Sequence, residues 1–185
     1  MWYARRLMGN KKNIIGVEVG VDQALHAWEI LDQWDEIDML HLVDSYSTRS
    51  KKHYNDALKK LEKFNKRTAW YVQPSLEAYL LFDDNSLDVV YLDASHVYID
   101  VLQDCIAWYK KLKPGGVLCG HDYRLDWNNM DEHSASFINA HGVVKAVNEF
   151  VILKNDELKI NKIDKEIVLG TKTDGSSSDW WIKKC

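Results

Sequence analysis

Two pairs of acidic and histidine residues in the middle of the chain carry the side chains that proton transfer and metal binding require. Asp93 and His96 follow one short apolar run, and His121 and Asp122 follow another. An ordinary histidine, with a pKa near ~6.5, can accept a proton from a hydroxyl group at neutral pH. Two carboxylates that reach the same point can instead share a divalent ion, which lowers the pKa of a bound hydroxyl group. All four residues are therefore candidates for catalysis, and Asp93 and Asp122 are candidates for metal ligation.

The segments around these residues predict a strand, a helix and a second strand. Leu87–Leu92 and residues 117–119 are apolar runs of the kind that parallel sheets bury. A right-handed crossover places two such strands side by side and parallel, so both polar pairs lie at the carboxyl edge of the sheet, where open α/β sheets bind ligands. Between the strands, apolar residues recur at the spacing of one helix face: Tyr98, Val101, Leu102, Cys105, Ile106, Tyr109 and Leu112.

A second group of candidate residues lies nearer the N-terminus. Residues 13–19 predict a strand that turns through Gly20 into a helix, which lets a ligand approach the backbone. Residues 39–43 predict the next strand, and Asp44 at its end is placed to accept hydrogen bonds from ribose hydroxyls, or else to cap a helix. Residues 21–24 contain no glycine. The absence of a Gly-x-Gly-x-x-Gly loop argues against a nicotinamide-dependent oxidoreductase.

The rest of the chain continues the alternation of helices and strands. Residues 51–67 predict a lysine-rich helix with its charges opposite an apolar stripe, a pattern that favours a solvated face over a nucleic-acid partner. Residues 68–72 predict a strand, and Ser75 is expected at or near the N-cap of the helix that follows. Residues 142–153 predict another amphipathic helix.

Two segments of the C-terminal third differ from this alternation. Residues 123–140 are a long irregular stretch at the ligand edge, which predicts a lid or acceptor loop. Residues 158–184 predict a β-hairpin that closes the sheet, with Trp180, Trp181 and Ile182 in its last strand.

The bulk composition is that of an ordinary globular protein. The chain has 185 residues, of which 46% are apolar and 28% charged, with a net charge of −4. This predicts one domain over residues 1–185, with residues 1–12 as a short extension before the first strand. The apolar runs are far shorter than the ~20 residues of a membrane span, and the N-terminus lacks the core of a signal peptide, so we expect a cytoplasmic protein without a membrane partner. Cys105, Cys119 and Cys185 are expected to be reduced.

Taken together, these residues resemble the class I S-adenosylmethionine-dependent methyltransferases. The likeness runs from about residue 13 to the C-terminus, and it rests first on Glu18-x-Gly20 and on Asp44. Further motifs make it similar to a branch that includes small-molecule O-methyltransferases: Asp93-Ala94-Ser95-His96-x-Tyr98, Pro114-Gly115-Gly116, His121-Asp122-Tyr123 and Gly142-Val143-x-x-Ala146-Val147.

The resemblance implies a Rossmann-like α/β sandwich. Its seven-stranded sheet would be mostly parallel with the last strand antiparallel, and S-adenosylmethionine would lie across the ends of strands one, two and four. The implied cofactor-binding residues are Glu18 and Gly20 for the methionine part, Asp44 with Ser45 for the ribose side, Gln73 to Ser75 for the adenine side, and Asp93 beside the sulfonium and the transferred methyl group.

The implied activity is methyl transfer to an oxygen of a small molecule or sugar. His96 or His121 would act as general base, or Asp93 and Asp122 would hold a divalent ion such as Mg²⁺. His121 stands where metal-dependent relatives commonly carry a second acidic or amide ligand, and a histidine there suits a softer ion or no ion.

Two features of the sequence depart from the pattern of this family. Ala24 replaces the usual second glycine of the loop, which keeps open a non-catalytic cofactor-binding or interaction module as the alternative function. The first strand begins near residue 14, so we expect no N-terminal helical cap over the acceptor site. A small or loosely enclosed acceptor, or a homodimer that completes the site, would be consistent with that expectation.

Overall fold

A seven-stranded sheet forms the centre of the fold. The computed structural model describes residues 2–47, 51–123, 135–160, 166–173 and 178–185. The strands are β1 (Ile14–Val19), β2 (Ile37–Val43), β3 (Thr68–Tyr71), β4 (Leu87–Leu92), β5 (Leu112–Gly120), β6 (Leu169–Thr173) and β7 (Ser178–Lys183). Their order across the sheet is β3-β2-β1-β4-β5-β7-β6.

The strand directions confirm the predicted topology. Strand β1 pairs in parallel with β2 and β4, β2 pairs in parallel with β3, and β4 pairs in parallel with β5. Among the strands described, β7 alone runs in the opposite direction, and it pairs antiparallel with both β5 and β6. Because β1, β2, β4 and β5 are parallel, their carboxyl ends all open on one edge of the sheet.

Helices cover both faces of the sheet. They are α1 (Trp2–Met8), α2 (Leu25–Gln33), α3 (Lys51–Lys60), α4 (Ser75–Ala78), α5 (Tyr98–Lys111) and α6 (Ala135–Ile160), with 3₁₀ turns at Glu62–Arg67 and Tyr79–Leu81. The first three pack on one face and the last three on the other, so each face has its own apolar core. The central strand β4 is buried along its whole length, including Asp88, whose carboxylate forms ion pairs with Lys11 and Lys113.

The helix predicted over residues 51–67 is too long. Helix α3 ends at Lys60, and the chain tightens into the 3₁₀ turn that ends at Arg67. There the Arg67 guanidinium donates hydrogen bonds to the carbonyl oxygens of Leu31, Trp34 and Ile37, at distances from 2.8 to 3.2 Å. These bonds tie the turn to the end of α2, an interaction that helical periodicity does not reveal.

The structure also changes the assignment of the C-terminal third. Helix α6 begins at Ala135 and ends at Ile160, so residues 135–140 of the predicted loop are helical and the predicted helix is extended at both ends. Residues 124–134 lie outside the described residues, and their role as a lid or acceptor loop stays a prediction. The hairpin of β6 and β7 is confirmed.

The N-terminal extension contains a helix that the sequence pattern did not reveal. In α1, Ala4 is fully buried, and the Tyr3 ring stacks on Trp181 of β7 with centroids 3.9 Å apart. Cys105 and Cys119 are buried free thiols, as expected. Among the described helices, none is long and apolar enough to cross a membrane.

Candidate functional site

A cavity of about 540 Å³ opens at the carboxyl edge of the sheet. This volume lies within the ~300–1,000 Å³ typical of small-molecule sites. The ends of β1, β2 and β4 border it, together with the first turns of α4 and α5. Its lining includes the predicted cofactor-binding residues Gly20, Asp44, Ser45, Pro74, Ser75 and Asp93, and also residues that were not predicted to bind the cofactor: Asp22, Ser47, Leu76, Ala94, Ser95, Asp100, Gln103 and Asp104.

Gly20 brings the end of β1 against the backbone of β4. Its φ of +92° lies in the region that favours glycine, and a Cβ atom there would overlap the carbonyl group of Asp93. The Gly20 amide donates to the Val43 carbonyl at 2.8 Å, and the Asp93 amide donates to the Val19 carbonyl at 2.8 Å. Three strand ends are thus held together at one point on the cavity wall.

Asp44 holds the loop between β1 and α2 in place. Its Oδ2 atom accepts hydrogen bonds from the amides of Val21 and Asp22, both at 2.9 Å, and its Oδ1 atom accepts one from the Tyr46 amide at 2.8 Å. The carboxylate therefore joins two loops while it borders the cavity. Its contact with a ribose stays a prediction.

Ala24 does not intrude on the cavity. It is the N-cap residue of α2, with a φ of 55°, and its methyl group is fully buried in the core beneath α1 and α2. It is absent from the cavity lining. The loop thus accommodates alanine in a left-handed conformation, and the Ala24 methyl group does not occupy the cavity.

Glu18 and Gln73 are not part of the cavity lining. The Glu18 side chain lies beneath α2 and is 1% exposed, with Oε1 3.1 Å from Nδ1 of His26. Its Oε2 atom has no hydrogen-bond partner in the part of the chain that the structure describes, and burial raises the pKa of the carboxyl group. Gln73 is half-buried, whereas the next three residues border the cavity.

Ser75 lies next to the N-cap of α4, as expected: Pro74 is the N-cap residue and Ser75 is the first helical residue. The Ser75 hydroxyl group donates to Oδ1 of Asp104 at 2.5 Å and accepts from Nε1 of Trp108 at 2.8 Å. Asp104 is 7% exposed, and burial raises the pKa of its carboxyl group to about 6. The apolar face predicted for α5 did not include Asp104, which the structure buries beside Val101 and Trp108.

The four candidate catalytic residues lie together beside the cavity. Nε2 of His96 is 2.6 Å from Oδ2 of Asp122 and 3.6 Å from Oδ1 of Asp93. Nδ1 of His121 is 3.2 Å from Oδ1 of Asp122. Asp122 has a φ of 58°, a conformation that costs a non-glycine residue about 1–3 kcal/mol and is often found at functional sites.

Charge pairing at the ends of β4 and β5 shifts the pKa values of His96, His121 and Asp122. The side-chain contacts with Asp122 and then Asp93 raise the pKa of His96 to about 9, and Asp122 raises that of His121 as well. The two histidines in turn hold the pKa of Asp122 far below its usual range. Because both imidazoles face carboxylates, their pKa values lie above the unperturbed value of ~6.5, which favours the charged form of His96 at neutral pH.

The same corner has a donor set that fits a divalent ion. One ligand atom from each of Asp93, His96 and Asp122 lies within 4.8 Å of the others. Nε2 of His96 is buried, and among the described residues it has no partner with hydrogen-bond geometry. Two carboxylates and an imidazole suit an ion that accepts nitrogen as well as oxygen.

Helix α6 closes the corner from the opposite side. A Cβ atom on Gly142 would overlap the carbonyl oxygen of His96, so only glycine lets the helix pass this close. A small pocket lies between them, lined by His96 and His121 as well as by Val101, Val143 and Trp180. Sequence reasoning did not identify Gly142 as part of the site, because its partner is distant in the chain.

Comparison with known families gives one match. A family model described as a methyltransferase domain matches residues 1–123 of the chain. No curated protein matches the chain.

Several solved structures have a similar fold. The O-methyltransferase from Bacillus cereus, solved with S-adenosylhomocysteine, has a TM-score of 0.60 and 15% identity, over 91% of this chain and 72% of that one. The O-methyltransferase TomG from Streptomyces achromogenes, involved in tomaymycin synthesis and solved with S-adenosylmethionine, has a TM-score of 0.59 and 15% identity, over 91% and 71%. Spermidine synthase from Thermotoga maritima has a TM-score of 0.61 and 16% identity, over 97% and 56%. At these identities the likeness is one of fold.

Proposed function

The chain belongs to the methyltransferase domain family, and on that premise we propose that it transfers the methyl group of S-adenosylmethionine to an oxygen of a small molecule or sugar. One observation carries the residue-level proposal. The cavity at the ends of β1, β2 and β4 shares Asp93, Ala94 and Ser95 with a small pocket of about 10 Å³ that His96 and His121 also line, so the candidate cofactor site adjoins the candidate catalytic residues.

The cofactor would lie along the cavity with its ribose at Asp44 and its sulfonium at Asp93. Asp44 retains acceptor capacity beyond its three backbone hydrogen bonds, since two carboxylate oxygens offer about four lone-pair sites. Gly20 leaves the backbone of the loop open to the methionine part. The negative charge of Asp93 would favour the cationic sulfonium over the neutral product.

The acceptor hydroxyl would lie at the His96 corner, where its proton has to be removed. Methyl transfer is an in-line displacement, so the main task of the protein is to align the acceptor oxygen with the methyl group. His96 becomes a proton acceptor once it has released the proton that Asp122 and Asp93 stabilise. A divalent ion held by Asp93, His96 and Asp122 would instead lower the pKa of the acceptor hydroxyl.

Calorimetry with S-adenosylhomocysteine tests the cofactor assignment. We expect wild type to bind the nucleoside and Asp44→Ala to bind it roughly 10- to 100-fold more weakly, because a charged acceptor and the order of the loop are both lost. Asp38→Ala is the matched control, since Asp38 is an exposed aspartate on the same strand. Failure of wild type to bind either S-adenosylmethionine or S-adenosylhomocysteine would refute the proposal.

A chelator distinguishes the two ways of activating the acceptor. Turnover would be measured as release of S-adenosylhomocysteine with a panel of hydroxylated acceptors, before and after treatment with EDTA. Loss of activity that Mg²⁺, Mn²⁺ or Zn²⁺ restores supports the ion, whereas indifference to EDTA leaves the histidines as proton acceptors. A homodimer that completes the acceptor site also stays a prediction, for sedimentation velocity to test.

A further inference from the structure

The indole N–H group of Trp180 is a buried hydrogen-bond donor. Trp180 lies in β7 and is 1% exposed. Among the residues that the structure describes, none accepts a hydrogen bond from its Nε1 atom. A buried donor without an acceptor is costly, and such groups in folded proteins are paired either with protein atoms or with ordered water. The N–H group of Trp180 therefore indicates an acceptor that the described residues do not supply.

The pairing of β5 with β7 fixes the position of this indole. Trp180 lies opposite Gly120, which is the last residue of β5. A Cβ atom on Gly120 would come within 2.8 Å of Nε1, so the nitrogen-bearing edge of the ring lies against the end of β5. The next residue is His121, whose amide donates to the carbonyl oxygen of Leu92 at 3.2 Å. The indole N–H group is thereby held at the point where β4 and β5 end.

The small pocket of about 10 Å³ lies at the same point. Trp180 borders it together with the apolar side chains of Val101 and Val143. The wall also includes residues with polar side chains: Asp93, Ser95, His96, Asp104 and His121. A buried water molecule needs a space of roughly 10–15 Å³ and two to four polar partners. The pocket therefore has the size and the polarity of a site for one water molecule.

The groups on the wall of the pocket disfavour other occupants. An indole N–H group is a donor only, so Trp180 does not ligate a metal ion through it. The carboxylates of Asp93 and Asp104 repel an anion. An organic molecule exceeds the volume of the pocket. The occupant has to accept a hydrogen bond from the indole and donate one to a carboxylate, and a single water molecule does both.

Asp104 is the carboxylate that has most need of such a donor. It is 7% exposed, and burial of a carboxylate is costly unless hydrogen bonds surround it. The Ser75 hydroxyl group donates one hydrogen bond, to Oδ1. Two carboxylate oxygens offer about four lone-pair sites, so Asp104 can accept a further proton donor. A water molecule in the pocket would satisfy the indole of Trp180 and the carboxylate of Asp104 together.

We propose that the small pocket binds one water molecule, which accepts a hydrogen bond from the Trp180 indole and donates one to the Asp104 carboxylate. Asp104 borders the large cavity as well as the small pocket. The water therefore joins β7, the antiparallel strand, to the wall of the candidate cofactor site. Both partners of the water belong to the fold itself, so the proposal does not depend on the proposed function.

Nuclear magnetic resonance of the isotope-labelled protein tests the proposal without a cofactor or an acceptor. The indole resonance of Trp180 is identified by its loss in Trp180→Phe. In wild type this resonance should have a cross-peak with water, with opposite signs in laboratory-frame and rotating-frame Overhauser spectra. The difference in sign distinguishes a bound water molecule from exchange of the indole proton. Absence of this cross-peak in wild type would overturn the proposal.

Variants that fill the pocket provide the second arm of the experiment. Val143→Ile adds a methylene group from α6 and Val101→Ile adds one from α5, so each should displace the water and remove the cross-peak while the indole resonance remains. Val144→Ile is the matched control, because Val144 is buried on the same helix as Val143 but does not border the pocket. A cross-peak of wild-type strength in both pocket variants would contradict the assignment of the water to this pocket.

A third arm tests the acceptor of the water's proton. Asp104→Leu removes the carboxylate without leaving a buried charge, and it should abolish the cross-peak between the Trp180 indole and water. Asp100→Leu is the control, since Asp100 lies on the same helix and does not border the small pocket. A cross-peak that survives in Asp104→Leu at the strength seen in Asp100→Leu would overturn the role of Asp104.

Discussion

A side chain larger than that of Gly20 would overlap the backbone at the wall of the cavity. The position combines a φ of +92° with contact to the Asp93 carbonyl, so Gly20→Ala should abolish binding of S-adenosylhomocysteine and lower the thermal unfolding temperature. Gly9→Ala is the matched control, because Gly9 has a φ of +57° with no atom near its Cβ position. It should cost about 1 kcal/mol of unfolding free energy and leave binding intact. Equal effects of the two substitutions would contradict the prediction.

Asp104 should make stability depend on pH. Its pKa is raised from 3.8 to about 6, so the folded protein binds a proton more tightly than the unfolded chain. The stability of wild type relative to Asp104→Asn should therefore fall, by up to about 3 kcal/mol, as the pH rises from about 4 through about 6. Urea unfolding of both proteins at pH 4.5 and 7 measures this difference. An identical pH response in the two would show that Asp104 has an ordinary pKa.

The sequence predicts residue positions at strand ends better than it predicts what their side chains contact. Asp93, His96, His121 and Asp122 converge because each follows a strand of one parallel unit. Glu18 sits on a strand instead, and alternation along β1 directs its side chain beneath α2. A local pattern could not reveal this, because the partner of a strand residue depends on the packing of distant elements.

At the level of secondary structure, the close approach of α6 to the loop after β4 makes Gly142 a structural requirement. Gly142→Ala should cost about 1–3 kcal/mol of unfolding free energy and reduce turnover, because the added Cβ displaces the His96 carbonyl. Ile152→Ala, at an exposed position of the same helix, should stay within about 0.5 kcal/mol of wild type. Urea unfolding and the methyl-transfer assay measure both variants, and an unchanged turnover in Gly142→Ala would speak against the coupling.

Helix and strand periodicity predicted most of the elements that position the site. The strands β1, β2, β4 and β5 and the helix α5 follow from apolar runs and one helical face. The 3₁₀ turn that ends at Arg67 and the first turns of α6 did not follow. Their limits depend on tertiary contacts, such as the hydrogen bonds from Arg67 to the end of α2, rather than on local periodicity.

At the scale of the whole molecule, the side chain of Lys184 links the end of β7 to the junction of α5 and β5. The Lys184 ammonium group donates to the carbonyl oxygens of Tyr109 at 3.1 Å and Leu112 at 2.7 Å, where α5 ends and β5 begins. Lys184→Met should lower the unfolding free energy by about 1–2 kcal/mol, because these carbonyls lose a charged donor. Lys183→Met, at the exposed neighbouring position, should have no measurable effect. Chemical denaturation compares the pair, and equal stability of the two would disprove the role of Lys184.

The number of strands and the antiparallel last strand were implied by the resemblance to a known family, and the structure has both. Right-handed crossovers alone allow several strand orders, so local patterns do not determine the order across the sheet. Helix α1 could not be inferred in this way, since its contact with β7 joins the two ends of the chain. No short window of sequence contains both partners of that stack.

The segment from Asp93 to His96 touches glycine on both sides, at Gly20 and at Gly142. A longer segment, or a larger residue at either glycine, would have to displace the backbone of the segment. New acceptor preferences in this lineage should therefore arise through changes elsewhere around the pocket, while the segment between the two glycines keeps its length.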